Sequence, residues 1–434
     1  MPSRCDSGGL RAGRFLLGFI ATLASAAASP AQTPLSLDEA IRQARSANAR
    51  LPLRALEVSL ARQRQSEALA ERWLKVAVEG DFLYAPAGGY DPVLTNLGDA
   101  RLQVVARQPI YQGGALKALT ARADAGFAAA SARYRMADKD LDLEVRSRFA
   151  ELLAARAEAA GRREGVERLS NYRALLKSRQ AFGQGVAADV LKTEVRIALE
   201  EAAVAEAEER QDQSRLALNE LMGKDPSAPL EPEPLPAPEA PATSSASAWQ
   251  GAPEIAAAEA EARSAEADLT IARSERKPHL FFNADLGFWV SDTTNLGSEF
   301  WDRFWAAKGY SLSLVMAWPV WDNGAFRARV AQADLGLQQA RSQVEVERRD
   351  ARLAWTQAET AMRHLFRQLE ILSRAAPDAR DSYLEMESRY RGGTASALEV
   401  LDAFGAAVDA SSRLIDVTAR YRVAQAVAIR WSTP

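Results

Sequence analysis

Cysteine occurs once in the 434 residues, at Cys5, and histidine only twice, at His279 and His364. A single thiol forms no disulfide within the chain. Because Cys5 precedes an apolar stretch, it is not placed to be a lipid-bearing N-terminal cysteine. Two isolated histidines make no metal site, and neither a metal nor a cofactor is expected. Neither charge sign dominates: 54 Lys and Arg against 57 Asp and Glu leave a net charge of −3, no footprint for a nucleic acid. Nucleophile motifs, paired catalytic constellations and phosphate-cradling glycine loops are also missing, so no enzyme is expected. Gly113-Gly114 precedes a helical pattern but lacks the lysine of a phosphate loop. After residue 31 no unbroken apolar run reaches the ~18 residues that a spanning helix needs. If this chain enters a membrane, it must do so as a closed barrel, which satisfies every backbone hydrogen bond in lipid.

What is present begins with a leader. Arg4, Arg11 and Arg14 precede the apolar stretch Phe15 to Ala28 and the small residues Ser29, Pro30 and Ala31. This is the pattern of a secretory signal peptide over residues 1–31, with cleavage after Ala28 or Ala31. It carries three arginines against Asp6, so its removal shifts the net charge from −3 to −5.

The body of the sequence is a duplication. "QPIYQGGALKALTARADAGF" from Gln108 matches "WPVWDNGAFRARVAQADLGL" from Trp318, 210 positions later. Pro109 pairs with Pro319, Gly114 with Gly324, Asp124 with Asp334, Gly183 with Gly393 and Val190-Leu191 with Val400-Leu401. Upstream the offset is 204, matching Arg72 to Arg276 and Asp81 to Asp285, so the six-residue difference falls in a loop. The first copy spans 32–223 and the second 250–434. Between them, 224–249 holds seven prolines in Lys224–Ser247 and reads as an extended linker.

Four segments alternate with period two: 76–84, 101–108, 280–290 and 310–318. One face carries Val76, Val78, Phe82, Leu102, Val104, Phe282, Leu286, Leu312 and Leu314; the other carries Glu79, Asp81, Gln103, Asn283, Asp285 and Ser313. Their lengths of roughly 9–11 residues suit tilted transmembrane strands, and aromatics collect near their ends as in interfacial girdles. Four strands cannot close a barrel, since small barrels need about eight. Strands must be pooled between subunits, and three copies supply twelve.

The rest is helical. Gly114 to about Ala181 contains no proline and carries a stripe at spacings of three and four, Leu116, Leu119, Ala123, Phe127 and onward, as in a coiled coil. Its second-copy partner runs from Gly324 to about Tyr390, with Pro377 as an expected interruption. Shorter helices, about Ser36–Arg72, Ala187–Met222, Glu254–Arg276 and Ser396–Trp431, are expected to stack end to end beside the long ones.

This layout resembles the TolC family of outer-membrane efflux proteins over essentially the whole mature chain. The more specific motifs are the strand-to-helix turns "RQPIYQGG" (Pro109, Gly113, Gly114) and "AWPVWDNG" (Pro319, Gly324), and the hairpin tips "FGQGVAADVLKTE" and "YRGGTASALEVLDA". The resemblance implies a mainly α fold with membrane β: an internally duplicated chain whose four strands complete a trimeric twelve-stranded β-barrel, continued by a coiled-coil periplasmic α-barrel. It implies a homotrimer in outer-membrane lipid, a periplasmic adaptor and an inner-membrane transporter as partners, and no nucleic acid. The tips Gly183, Gln184, Gly185 and Gly392, Gly393, Thr394 match the segments that adaptors recognise. Glu399 and Asp402, with Asp189 in the first copy, match acidic residues that ring the narrow end of the tube. Crowding in such a ring raises carboxyl pKa values. Tyr390 resembles an aromatic that ties the closed tip together, although its usual basic partner falls at Ala395.

The implied function is passive export of small molecules in a tripartite pump. A type I protein-secretion duct is the alternative within the fold; a periplasmic adaptor or structural coiled coil is the alternative outside it. The aromatics Phe300-Trp301 and Phe304-Trp305 fit a loop cap or an outer-surface contact better than a ligand site.

Overall fold

The computed structural model describes residues 34–84, 97–241, 247–293 and 296–432; the leader, most of the loop between the first two strands and the last two residues lie outside them. Four antiparallel strands, β1 (Lys75–Tyr84), β2 (Gly98–Gln112), β3 (His279–Ser291) and β4 (Lys308–Ala317), form one sheet in sequential order. Directly paired residues share a face, so register tests the alternation. Val78 pairs with Val104, Val104 with Leu286, and Leu286 with Tyr310; Phe282 pairs with Leu314. Across the other face run Glu79, Gln103, Gly287 and Gly309, and Ser311 Oγ donates to Asp285 at 2.9 Å. The apolar residues of four strands therefore merge into one sheet face.

Two strand ends differ from expectation. β2 extends well past 101–108 and incorporates Pro109 as a strand residue rather than a turn residue. The register shifts between Pro109 and Tyr111, and such a bulge tolerates a residue without an N–H. At the far end β4 stops at Ala317, leaving Trp318 and Pro319 beyond it.

The helical part begins with two helices where one was expected. α1 (Leu37–Ala47) ends at Asn48, whose extended backbone breaks the run while its side chain accepts from the Arg50 N–H at 2.8 Å to start α2 (Arg50–Ala70). Pro52 then falls in the first turn of α2, where its missing N–H costs nothing. The long helices α3 (Ala115–Ala181) and α4 (Ala187–Leu221) form one hairpin; after α5 (Pro253–Ser274) and the short loop helix α6 (Ser298–Ala306), α7 (Ala325–Arg391) and α8 (Ala397–Ser432) form the second. Both α3 and α7 have 67 residues, a rise on the order of 100 Å. Pro377 does not interrupt α7. The lost backbone bond costs about 3 kcal/mol, a loss spread over a helix held on one side by α5 and α8 along its length.

Packing explains the order. α1 and α2 lie along the first half of α3, with Arg45 paired to Asp138 at 2.8 Å and Gln65 to Asp124 at 2.8 Å. α4 takes the second half, with Lys177 paired to Glu194 at 2.8 Å. Where α3 meets α5, buried alanines (Ala125, Ala129 and Ala132 against Ala257, Ala260 and Ala267) allow close approach. Midway along, Ile41, Val145, Phe149, Leu152 and Leu218 form a core that Leu230 and Leu235 of the proline-rich segment cover. That segment pairs with Leu35 and is bound to the helices. Leu35 N donates to Glu231 O at 2.7 Å, Glu233 N to Leu35 O at 2.9 Å, and the Tyr421 hydroxyl to Glu239 O at 2.6 Å.

Candidate functional site

Two regions carry the features of a conduit: the sheet at one end and the hairpin tips at the other. Among the described residues β1 and β4 each pair on one side only. Their apolar face is uncovered over most of its width, with Val78, Leu286, Leu312 and Leu314 all exposed. No described helix is long and apolar enough to cross a membrane.

The strand-to-helix corners are built alike. Gly113 and Gly114 adopt φ of 62° and 102°, and the equivalent Asn323 and Gly324 adopt 56° and 91°. All four lie in the left-handed region that glycine and asparagine tolerate best. Gly113 also has no room for a side chain, since a Cβ would stand 2.8 Å from Ser274 O. Lys277 Nζ donates to Gly113 O at 2.9 Å, so the corner is tied to the turn that follows α5. In the second copy the Asp322 carboxylate accepts from Phe326 N at 2.6 Å.

At the opposite end each long helix stops in the same way. Gln184 N donates to Arg179 O at 2.9 Å and Gly183 N to Gln180 O at 3.0 Å; Thr394 N donates to Arg389 O at 2.9 Å and Gly393 N to Tyr390 O at 3.0 Å. These are paired helix stops with a left-handed glycine, Gly183 at φ 74° and Gly393 at φ 77°. Gly392 and Gly185 flank them. The following helix starts differ. Ser396 and Glu399 form a reciprocal cap: Glu399 Oε2 accepts from Ser396 N at 2.6 Å, and Ser396 Oγ from Glu399 N at 3.3 Å. Val186 holds the equivalent position before α4 and makes no side-chain cap.

The structure places the proposed gate residues unequally. Glu399 and Asp402 are exposed one turn apart on α8, and Asp189 is half-buried in the first turn of α4. Within one chain the Ser396 backbone N–H, with the Ser396 hydroxyl, holds the Glu399 carboxyl below its usual value, opposite to the direction that ring crowding would impose. Tyr390 is buried between the two hairpins of the same chain. Its ring meets Tyr172 edge-on at 5.3 Å, and the Arg179 guanidinium lies 4.7 Å from its centroid. Arg179 Nη2 also donates to Arg391 O at 2.7 Å. Ala395 is uncharged, and the cation beside Tyr390 is Arg179 of the first hairpin.

Sequence reasoning missed this inter-hairpin seam and the buried contacts inside each hairpin beside it. Tyr383 packs on Phe404 at 5.5 Å, and burial pushes its hydroxyl up to about 12. Burial also raises the Tyr172 hydroxyl, which has no hydrogen-bond partner among the described residues. Farther up, Glu200, 2% exposed, is paired with Arg162 and Arg196 at 2.9 Å each, and Arg196 lies over Phe404 at 5.6 Å. The sole signal was that Arg162 and Arg196 fall on inward faces of an otherwise solvated pair of helices. No group of His, Cys, Asp or Glu that could hold a metal is found among the described residues.

With this geometry in hand, the comparisons are consistent. The family model for outer membrane efflux protein matches residues 31–224 and 245–428. The fold is similar to the outer-membrane channel OprN, with a TM-score of 0.82 at 22% identity over 91% of this chain and 89% of that one. It is also similar to the outer membrane protein VceC from Vibrio cholerae (0.80, 18%, 91% and 95%) and to the Campylobacter jejuni CmeC outer membrane channel (0.79, 16%, 91% and 85%). A search of curated proteins by sequence gave no match. Two matched repeats covering most of the sequence establish that the chain belongs to the outer membrane efflux protein family, residing in the outer membrane with its helices extending into the periplasm.

Proposed function

We propose that the chain is the outer-membrane duct of a tripartite efflux pump, a homotrimer that passively conducts small molecules delivered by an inner-membrane transporter and its periplasmic adaptor. The observation that carries this reading is the four-stranded sheet with two open edges and one uncovered apolar face. An exposed sheet edge demands a partner, and an apolar face demands lipid. Pairing β4 of one copy with β1 of the next answers the first demand, and three copies close a twelve-stranded barrel. The polar face, with Glu79, Gln103 and Asp285, then lines the lumen.

The helix tips serve the periplasmic end. Gly183 to Val186 and Gly392 to Thr394 are the adaptor contacts, and Glu399, Asp402 and Asp189 supply the acidic lining of the narrow entrance. Such a lining favours cations by field alone. The transporter supplies the energy. Light scattering of detergent-purified protein tests the assembly: a trimer is expected, and a folded monodisperse monomer would overturn the barrel.

A further inference from the structure

The loop between β3 and β4 contains α6, with four aromatics in nine residues, and their positions are not those of a simple loop cover. Phe300 and Phe304 are buried against Ala100, Phe288 and Val290; Phe300 also meets Phe82 edge-on at 6.5 Å. Register puts these strand residues on the apolar face: Phe82 pairs with Ala100 and Ala100 with Val290, in line two residues from Gly80, Leu102 and Phe288. α6 therefore lies on the outside of the sheet, over the ends of the strands, not across the mouth of the pore. Its attachment is close, because Trp289 N donates to Ala307 O at 3.0 Å immediately after the helix.

The second aromatic pair is only half covered. Trp301 and Trp305 flank the buried phenylalanines and remain 50% and 54% exposed. Trp305 packs edge-on on Phe288 at 5.0 Å and Trp301 on Phe300 at 5.1 Å, so one side of each indole is held by the chain and about half of it is left over. Trp side chains favour the boundary where one end is apolar and the other wet. Tyr84 is exposed on the same face at that end of β1, and Tyr310, in line with Leu286, is exposed on that face near the start of β4, so the half-exposed indoles adjoin the apolar face. Glu299, Asp302 and Arg303 provide the polar side of the helix.

We propose that α6 is an interfacial helix that lies flat on the outer rim of the barrel and inserts Trp301 and Trp305 at the headgroup–acyl boundary of the outer leaflet. The occupant of the exposed aromatic face is lipid, reached by continuity with the apolar sheet face. This rests on the barrel reading above, and the test separates the two. Single cysteines at Trp305→Cys, Asp302→Cys and Leu314→Cys, in a Cys5→Ser background, are labelled with a nitroxide. The trimers are reconstituted into vesicles of phosphatidylethanolamine and phosphatidylglycerol, and accessibility to oxygen is compared with accessibility to a water-soluble nickel chelate.

The oxygen-to-nickel ratio at 305 should exceed that at 302 severalfold and approach that at 314. A ratio at 305 equal to that at 302, with 314 still in lipid, overturns the interfacial helix but leaves the barrel. Shielding of 305 from both reagents also overturns it, because a neighbouring subunit would then be the occupant. A water-exposed label at 314 overturns the barrel and the inference together. Should Trp305→Cys not assemble, quenching of tryptophan fluorescence by brominated lipid decides. The Trp301→Phe, Trp305→Phe double variant should lose part of the parent's quenching, and an unchanged quenched fraction refutes the proposal.

Discussion

The two hairpin tips are copies of one segment, yet they have diverged in opposite directions. Both keep the glycine in the left-handed region and the same backbone hydrogen bonds that end the long helix. In the first tip the apex is apolar and uncapped, with Phe182 80% and Val186 62% exposed. The second replaces these with Gly392 and Ser396, and Ser396 closes a cap with Glu399. Exposed apolar side chains on a rigid turn suit a contact that another protein completes. A self-satisfied cap suits a tip that must hold carboxylates in position. Duplication conserved the turn and left its chemistry free to specialise.

The largest effect should come from that apolar apex. Phe182→Asp with Val186→Asp should weaken adaptor capture by tenfold or more in a binding assay, about 1.4 kcal/mol or above, with trimers still present in outer membranes. Ser396→Asp in the second tip, outside the contact segment Gly392 to Thr394, should change capture little, since aspartate also caps a helix. Equal losses would erase the distinction between the tips. The double change Glu399→Gln, Asp402→Asn should remove most of the cation preference in planar-bilayer recordings, whereas Asp189→Asn alone should do less. The reverse ranking would move the acidic lining to the first tip.

Smaller effects concern the turns themselves. Gly183→Val and Gly393→Val each force a branched residue into the left-handed region, at about 1–2 kcal/mol. Both should speed local hydrogen exchange equally, because neither glycine has atoms within 4 Å of a built Cβ. Ser396→Ala should cost about 1 kcal/mol of local protection, while Val186→Ser should gain a cap that the first tip lacks. The Glu399 half of the cap depends on pH. Its carboxyl is held below its ordinary value, so its contribution is complete above that ordinary value and disappears as pH falls through the depressed one. Protection of the Ser396 N–H should follow that course, and a loss beginning near pH 6 would mean that crowding in the trimer outweighs the cap. Smallest of all, Tyr172→Phe should leave the seam unchanged in melting or exchange, since it removes a buried hydroxyl with no partner.

Much of the fold could be read from the sequence because it is written in periods. Alternation over four segments placed Val104, Leu286 and Leu314 on one face, and pairing confirmed it. The repeat offset aligned Gly183 with Gly393, whose conformations agree to within a few degrees. Misreadings arose where a local signal had two outcomes. Pro377 is compatible with a break or with a helix carried by its neighbours; tertiary packing chose the second. Asn48 and Pro52 together marked a helix start, but a surrounding helical pattern concealed it. Glu399 was read for its charge, while the Ser-x-x-Glu spacing beside it states a cap. Arg179 has no local signal, since its role depends on Tyr390, 211 positions away.

The bound proline-rich segment has a consequence for the protein's life before assembly. In an extended chain alternate N–H groups point to opposite sides, and prolines occupy 232, 234, 236 and 238. The odd-numbered side keeps its donors, one of which Glu233 gives to Leu35. The even-numbered side has none over these four positions. A stray strand finds no donors there, and the Pro236 carbonyl is already taken by Arg422, so it cannot zip on. The segment behaves as a strand with one working edge, able to lash its own helices together while refusing to seed a sheet between molecules.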